Sequence, residues 1–173
     1  MIKEAIYTAR PRTKAAKSVF LGLLGTSLLL VVAANISPVY SGIIWLVALG
    51  FITATIYVYN RYVGAEYCYE VSESGGRPSF IINMRIGKTV RTMARVDLYA
   101  ITEVKKMTRE EYRAHKSGRD VARFPYFPTM FSDEVYLVCV RSHHEKADLF
   151  IEADGDFVAT LTQDVSVEQE EDI

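Results

Sequence analysis

The chain has 173 residues, with 20 Lys/Arg, 21 Asp/Glu, a net charge of −1 and 50% apolar content. Ten Gly, five Pro and two Cys exclude collagen-like, disordered and disulfide-framework classes. The charge is unevenly spread, because Ser18 to Asn60 is a run of 43 residues without an Asp, Glu, Lys, Arg or His. Such a run is too long and too apolar for a purely soluble domain.

Residues 1–17 form a basic leader holding Lys3, Arg10, Arg12, Lys14 and Lys17 against Glu4. They read as a topology signal; a lipid-attracted polybasic segment is the other reading, each cation contributing on the order of 1 kcal/mol near an anionic leaflet. The apolar run breaks at 37–42, where Ser37, Pro38, Ser41 and Gly42 supply turn chemistry. Residues 18–60 therefore read as a transmembrane helical hairpin. The first span, 18–36, covers roughly 28 Å at ~1.5 Å per residue, close to a ~30 Å hydrocarbon core, and the second, 43–60, just suffices. Tyr40 and Trp45 fall at one interface, and Tyr57, Tyr59 and Tyr62 at the other.

The loop between the spans carries no charge, whereas basic residues flank both outer ends, so both termini are expected in the cytoplasm of the cell membrane's inner side. A cleaved signal peptide over 1–34, ending in Val32-Ala33-Ala34, is a competing reading. Arg61 follows the second span in either case, which keeps the downstream domain cytoplasmic. Gly22, Thr26 and Ala33 on the first span and Gly50 and Ala54 on the second form small-residue stripes that let helices approach closely. The other half of the hairpin is their expected partner, with lipid-facing small residues as the alternative.

Residues 61–163 are long enough for one small domain. Glu66 to Val71 alternates as a strand, Ser72 to Pro78 turns, Ser79 to Ile86 returns, Gly87-Lys88 reverses the chain, and Thr89 to Val96 completes a meander. Leu98 to Lys106 is a short fourth strand, and Thr108 to His115 a polar helical turn capped by Thr108. Glu134 to Arg141 is apolar on both faces, as suits a central strand. His143-His144-Glu145-Lys146 turns into a strand over 147–151. Phe157 and Leu161 then share one face of a helix capped by Asp154 or Asp156. The last ten residues, 164–173, carry five acids and no base and are expected to be a disordered tail able to fold back on basic residues.

The fold class is α+β: a two-helix transmembrane hairpin, then an antiparallel β-sheet or partial barrel closed by a C-terminal helix. Two spans, a Tyr-rich strand, a basic hairpin, Val96-Asp97-Leu98-Tyr99-Ala100-Ile101-Thr102-Glu103-Val104 and a last strand leading into Asp156-Phe157-Val158-Ala159-Thr160-Leu161 resemble the bacterial pleckstrin-homology-like domains of small membrane proteins. Leu98, Ile101 and Val104 match that family's spaced apolar strand. The segment from Thr108 to Asp133 departs from the compact family pattern. The resemblance implies a PH-like sheet used for binding.

No residues assemble a nucleophile, base and oxyanion site, so the expectation is a non-catalytic protein with no cofactor, no metal, no nucleic-acid partner and no small-molecule substrate. Cys68 and Cys139 lack metal or redox spacing. Adjacent His143 and His144 point opposite ways on a strand end, and Glu152 to Asp156 lacks the oxygen set of a calcium loop. Between Arg85 and Arg123 eleven basic residues oppose five acidic ones. Arg85, Lys88, Arg91 and Arg95 are candidate contacts for lipid headgroups of an anionic leaflet, Arg91 and Arg95 sharing a strand face with Met93. Phe124, Tyr126, Phe127 and Phe131, interrupted by Pro125 and Pro128, either cover the sheet, dip into the membrane interface or offer a partner-binding surface. The expected function is a membrane-anchored binding or adaptor module whose partner is a membrane protein or a second copy. The alternative is an accessory subunit of a larger membrane complex.

Overall fold

The protein is described from a computed structural model, which describes residues 5–10, 13–37, 39–74, 77–130, 132–142 and 146–171. Two helices, α1 (Thr13–Ile36) and α2 (Ser41–Val58), make the hairpin, and a π-turn over Tyr59–Val63 ends it. Both helices are long and apolar enough to cross a membrane. Most of their side chains are bare, with Leu21, Leu28, Leu29, Leu46 and Leu49 all more than 60% exposed. In water that surface is unfavourable by ~25 cal/mol per Å2, which a hydrocarbon environment relieves.

The seam between the helices repeats in alternating steps of three and four. Ala16, Phe20, Leu23, Ser27 and Ala34 of α1 are buried or half-buried, as are Ser41, Ile44, Ala48, Phe51, Thr55 and Val58 of α2. That spacing is the left-handed, knobs-into-holes pattern. It does not use the expected small-residue stripe. Gly22, Thr26 and Gly50 are exposed, and Ala54 is half-buried; a methyl group added at Gly22 or Gly50 would meet nothing within 4 Å. Small residues recur on several faces of α1, and the helices close on the face of Ala16, Ser27 and Ala34, which are buried together with Ala48 and Thr55 of α2.

Outside the hairpin the described residues form eight strands in two sheets. The first has the order β1-β2-β3-β4, from Ala5–Ala9, Ala65–Ser74, Arg77–Ile86 and Thr89–Asp97. The second has the order β5-β7-β8-β6, from Ile101–Thr108, Glu134–Arg141, Lys146–Ile151 and Ala122–Tyr126. A 3-10 turn over Leu98–Ala100 joins the sheets, and the six-residue α3 (Arg109–Ala114) follows β5. The sheets are not joined into a closed barrel. The second sheet is also mixed rather than antiparallel, because β6 pairs parallel to β8. Pro125 sits in β6, where an edge position leaves its missing N–H without a ladder to break.

β1 precedes α1 in the chain and pairs antiparallel with β2, which follows α2, from Ala5↔Val71 to Ala9↔Tyr67. Part of the leader is therefore a strand of the domain. One core lies between the sheets, where Tyr67, Tyr69, Val71, Phe80 and Ile82 of the first face Ile101, Val138, Leu149 and Ile151 of the second. Helix α4 (Gly155–Glu171) packs Phe157 and Leu161 into it, with Asp154 accepting the Phe157 amide at 2.8 Å as an N-cap. The helix continues to Glu171, so most of the segment expected to be a disordered tail is helical. A smaller cluster on the opposite face of the second sheet gathers Met107, Phe127, Leu137, Cys139 and Phe150 under Tyr112 of α3.

Candidate functional site

The features with chemistry to offer gather at the neck between hairpin and sheets. The first pair of β2 and β3 is Ala65↔Ile86, so the Gly87-Lys88 turn joining β3 to β4 hangs beside the end of the π-turn. Gly87 has φ +58°, a left-handed conformation that glycine adopts without the Cβ penalty. A cavity of about 230 Å3 connects Asn60 of the π-turn with Met84, Ile86, Thr89 and Arg91.

Arg85, Lys88 and Arg91 are exposed at this end of the sheet. Arg85 Nε donates to Glu66 Oε2 at 3.0 Å, and Arg10 reaches the same carboxylate at 3.9 Å. Arg91 and Arg95 do not share a face. The register passes from Ile82↔Ala94 to Asn83↔Thr92, leaving Met93 as an extra residue in β4. This bulge inverts the alternation. Arg91 opposes Met84 on the side that faces the cavity, whereas Arg95 opposes Ile81. Arg95 also stands about 10 Å further from the turn, three residues along β3 at ~3.3 Å each, where its Nη2 donates to Ser79 Oγ at 3.4 Å. The Met93 carbonyl accepts from the Tyr126 hydroxyl at 3.4 Å across the core. Arg85, opposite Glu66 and Val90, lies on the face away from that cavity, so the structure gathers Arg85, Lys88 and Arg91 at one end of the sheet but on both of its faces, and sets Arg95 further along.

The aromatic segment mostly packs. Tyr126 and Phe127 are each 8% exposed, and Phe127 meets Tyr112 edge-on at 5.5 Å between centroids. Phe124 is exposed and stacks on Tyr126 at 5.8 Å. Phe131 and the His143-His144-Glu145 turn lie outside the described residues. Beside Phe127 a second cleft of about 190 Å3 opens at the neck, lined by Tyr62, Arg109, Tyr112, Arg113, Phe127, Met130, Ser132 and Val135. Helix α3 supplies the two arginines one turn apart on one face. A capping box fixes its start: the Glu111 amide donates to Thr108 Oγ1 at 3.3 Å and the Thr108 amide to Glu111 Oε2 at 2.7 Å.

Arg61 ties the neck to both sheets. Its guanidinium donates to the Tyr67 hydroxyl on β2 and to the Pro125 carbonyl on β6, and lies 5.5 Å from the Tyr67 ring centroid. Burial pushes the Tyr67 hydroxyl pKa up, and the Arg61 charge offsets part of that rise. Deeper in, Tyr69 donates to the Tyr126 carbonyl at 2.6 Å and accepts the Glu152 amide at 3.3 Å. Burial raises its pKa well above the ordinary tyrosine value, so it remains a neutral donor.

A polar cluster that no sequence motif marks surrounds Asp148 of β8, which is 1% exposed. His115 Nε2 lies 2.9 Å from Oδ2, Ser117 Oγ donates to it at 2.7 Å, and Arg141 Nη2 donates to Oδ1 at 2.8 Å. Burial pushes the carboxyl pKa up, but these hydrogen bonds and the Arg141 charge outweigh it and hold the group below its ordinary 3.8. Both His115 and Ser117 point at the carboxylate, so the arrangement fastens the 115–121 connection to the sheet. Cys68 and Cys139 are free thiols in different sheets, and among the described residues no cluster of three metal-ligating side chains occurs.

Neither the known protein-family models nor the curated proteins provide a match to this chain.

Proposed function

We propose that the protein is a membrane-anchored binding module whose sheet domain is held against the cytoplasmic leaflet and contacts anionic headgroups through Arg85, Lys88 and Arg91. The observation that carries this reading is the pairing of β1 with β2 across the hairpin. Two chain connections and the Arg61 bonds hold the domain at the end where the hairpin stops. The Gly87-Lys88 turn lies at that end, and Lys14 and Lys17 fall in the first turns of α1. Basic residues on both outer flanks and an uncharged connection at 37–42 favour a cytoplasmic domain. Two facing sheets with a C-terminal helix inserted at one end support a PH-like architecture, used here for binding rather than catalysis.

Hydrogen exchange of the full-length protein in nanodiscs tests this. The 85–91 segment is expected to exchange more slowly in discs containing phosphatidylglycerol than in pure phosphatidylcholine, and to lose that difference in high salt. Equal exchange in both discs would refute headgroup contact.

A second reading, a subunit of a larger membrane assembly, is favoured by the outward faces of Gly22 and Gly50, where nothing stands within 4 Å of an added methyl. A third helix has room to approach there. Cysteine crosslinking from Gly22 and Gly50 in native membranes distinguishes the two: a discrete heteromeric product supports the subunit reading, and monomer alone supports the self-contained module.

A further inference from the structure

The cleft between α3, the π-turn and Phe127, Met130 and Ser132 is separate from the Lys88 turn and is lined mostly by the stretch, Thr108 to Asp133, that departs from the compact PH-like pattern. We propose that it is a specific site for one anionic membrane phospholipid, holding the headgroup phosphate between Arg109 and Arg113 with the glycerol and first acyl carbons against Phe127 and Met130. This rests on the reading that α1 and α2 span the bilayer.

Three observations carry the assignment. The lining is of two kinds: two guanidiniums spaced i and i+4, and an apolar wall of Phe127, Met130 and Val135, with no Asp or Glu among the described lining residues. A fork of arginine donors matches the oxygen geometry of a phosphate, and an apolar wall suits the carbons that follow it. The volume, about 190 Å3, is below the roughly 300–1,000 Å3 of pockets that enclose drug-sized ligands. A phosphate and its nearest carbons fit; a nucleotide does not. Finally, Tyr62 forms part of the wall and lies in the turn that ends the second apolar helix, so the cleft opens at the height of the bilayer surface. A choline or ethanolamine headgroup would bring its own cation toward the arginines, so the site selects headgroups without one.

The helix that carries Arg109 and Arg113 is positioned independently of the ligand. The α3 capping box fixes the helix start, and the Arg109 amide donates to the Asp133 carbonyl at 3.0 Å. The edge-on contact of Tyr112 with Phe150, 4.9 Å between centroids, seats the helix on the sheet. The ligand therefore meets a helix already seated on the sheet.

Native mass spectrometry of the full-length protein in a neutral detergent, titrated with dioleoyl phosphatidylglycerol or phosphatidylcholine, reads out the site. The expected result is one phosphatidylglycerol retained at concentrations at least tenfold below those needed for phosphatidylcholine. The R109Q/R113Q variant should lose that preference, K116Q/R119Q, which removes two exposed charges outside both basic sites, should keep it, and R113E alone should abolish it without touching the capped end of α3. Inorganic phosphate at millimolar concentration should not displace the lipid. Equal retention of both lipids, an unchanged preference in R109Q/R113Q, or full displacement by phosphate would overturn the proposal. Carbonate extraction of native membranes separates its failure from that of the anchoring: a carbonate-resistant protein with no lipid preference refutes only the cleft, and a carbonate-soluble one refutes the anchor and the cleft with it.

Discussion

Tyr7 and Tyr69 stack with their rings 6.2 Å apart and 11° from parallel, although both apolar helices lie between them in the chain. Tyr7 also meets Phe157 of α4 at 6.0 Å. One short strand before the hairpin is thereby locked to the domain after it. A single tether at the end of α2 would leave the domain free to swing; two tethers on one sheet fix the orientation of the neck, and with it the position of Lys88.

The first prediction concerns that lock. Replacing Tyr7 with Ala removes a half-buried ring from an aromatic cluster and is expected to destabilise the domain by about 2 kcal/mol. Thr8→Ala, on the exposed outer face of the same strand, should cost less than ~0.5 kcal/mol. Thermal unfolding of the purified full-length protein, followed by far-UV circular dichroism, checks the pair. Similar midpoints for the two variants would mean that β1 is not part of the cooperative unit.

Within the hairpin, Ser27 Oγ lies 3.4 Å from Thr55 Oγ1, and each hydroxyl also donates to the carbonyl four residues back, at 2.7 Å. Because both hydroxyls are satisfied within their own helices, their coupling should be weak, about 0.6 kcal/mol in a double-mutant cycle of S27A and T55A. Gly22→Ala and Gly50→Ala should leave hairpin stability unchanged or slightly higher, since neither methyl meets a neighbour. Unfolding titrations in mixed detergent micelles measure all five variants, the S27A/T55A double mutant included. A large loss at Gly22 would show that the small-residue stripe, not the Ser27–Thr55 seam, closes the helices.

Much of this architecture is legible in the sequence, and the illegible parts share a cause. The uncharged run, the meander, the Thr108 cap, the Asp154 cap and the buried β7 strand each follow from local pattern, because period and turn chemistry act over a few residues. β1 is only five residues long inside a basic leader, and it is a strand only because β2 offers it an edge. The faces of Arg91 and Arg95 depend on one extra residue at Met93, which simple alternation does not reveal. The hairpin seam is chosen by how two helices interlock, so several candidate stripes on α1 look alike until the partner is in place. The cleft of Arg109 and Arg113 joins residues from three separate elements, and only Arg113's spacing from Arg109 is local.

Asp148 yields a prediction with a defined pH sign. Its folded-state pKa lies below the ordinary value of 3.8, so its contribution to stability is present above that value and is lost as pH falls through the lower, folded one. D148N should cost roughly 3 kcal/mol near neutral pH by leaving Arg141 without its carboxylate. The stability difference between wild type and D148N should shrink steadily below about pH 4. Denaturant titrations of both proteins at a series of pH values measure it. A difference that stays constant down to the lowest pH would show that the carboxylate charge is not what the cluster uses.

The neck itself gives the last prediction, because the Met93 bulge divides residues that look equivalent in sequence. A spin label placed at Thr89, exposed beside the turn, reports how closely the turn approaches the leaflet. In bilayers containing phosphatidylglycerol, K88Q and R91Q should each weaken that approach by about fivefold, the equivalent of ~1 kcal/mol per cation removed near an anionic surface. R95Q removes the same charge from a position further along the sheet and beside Ser79. Screening over a Debye length of about 8 Å at physiological salt should make its effect much smaller. Depth measured by collision with a lipid-soluble relaxing agent separates the two outcomes. If R95Q matches K88Q, the leaflet responds to the net charge of the domain, and the geometry of the turn is irrelevant to it. If R95Q matches wild type, the bulge has set which arginine reaches the membrane.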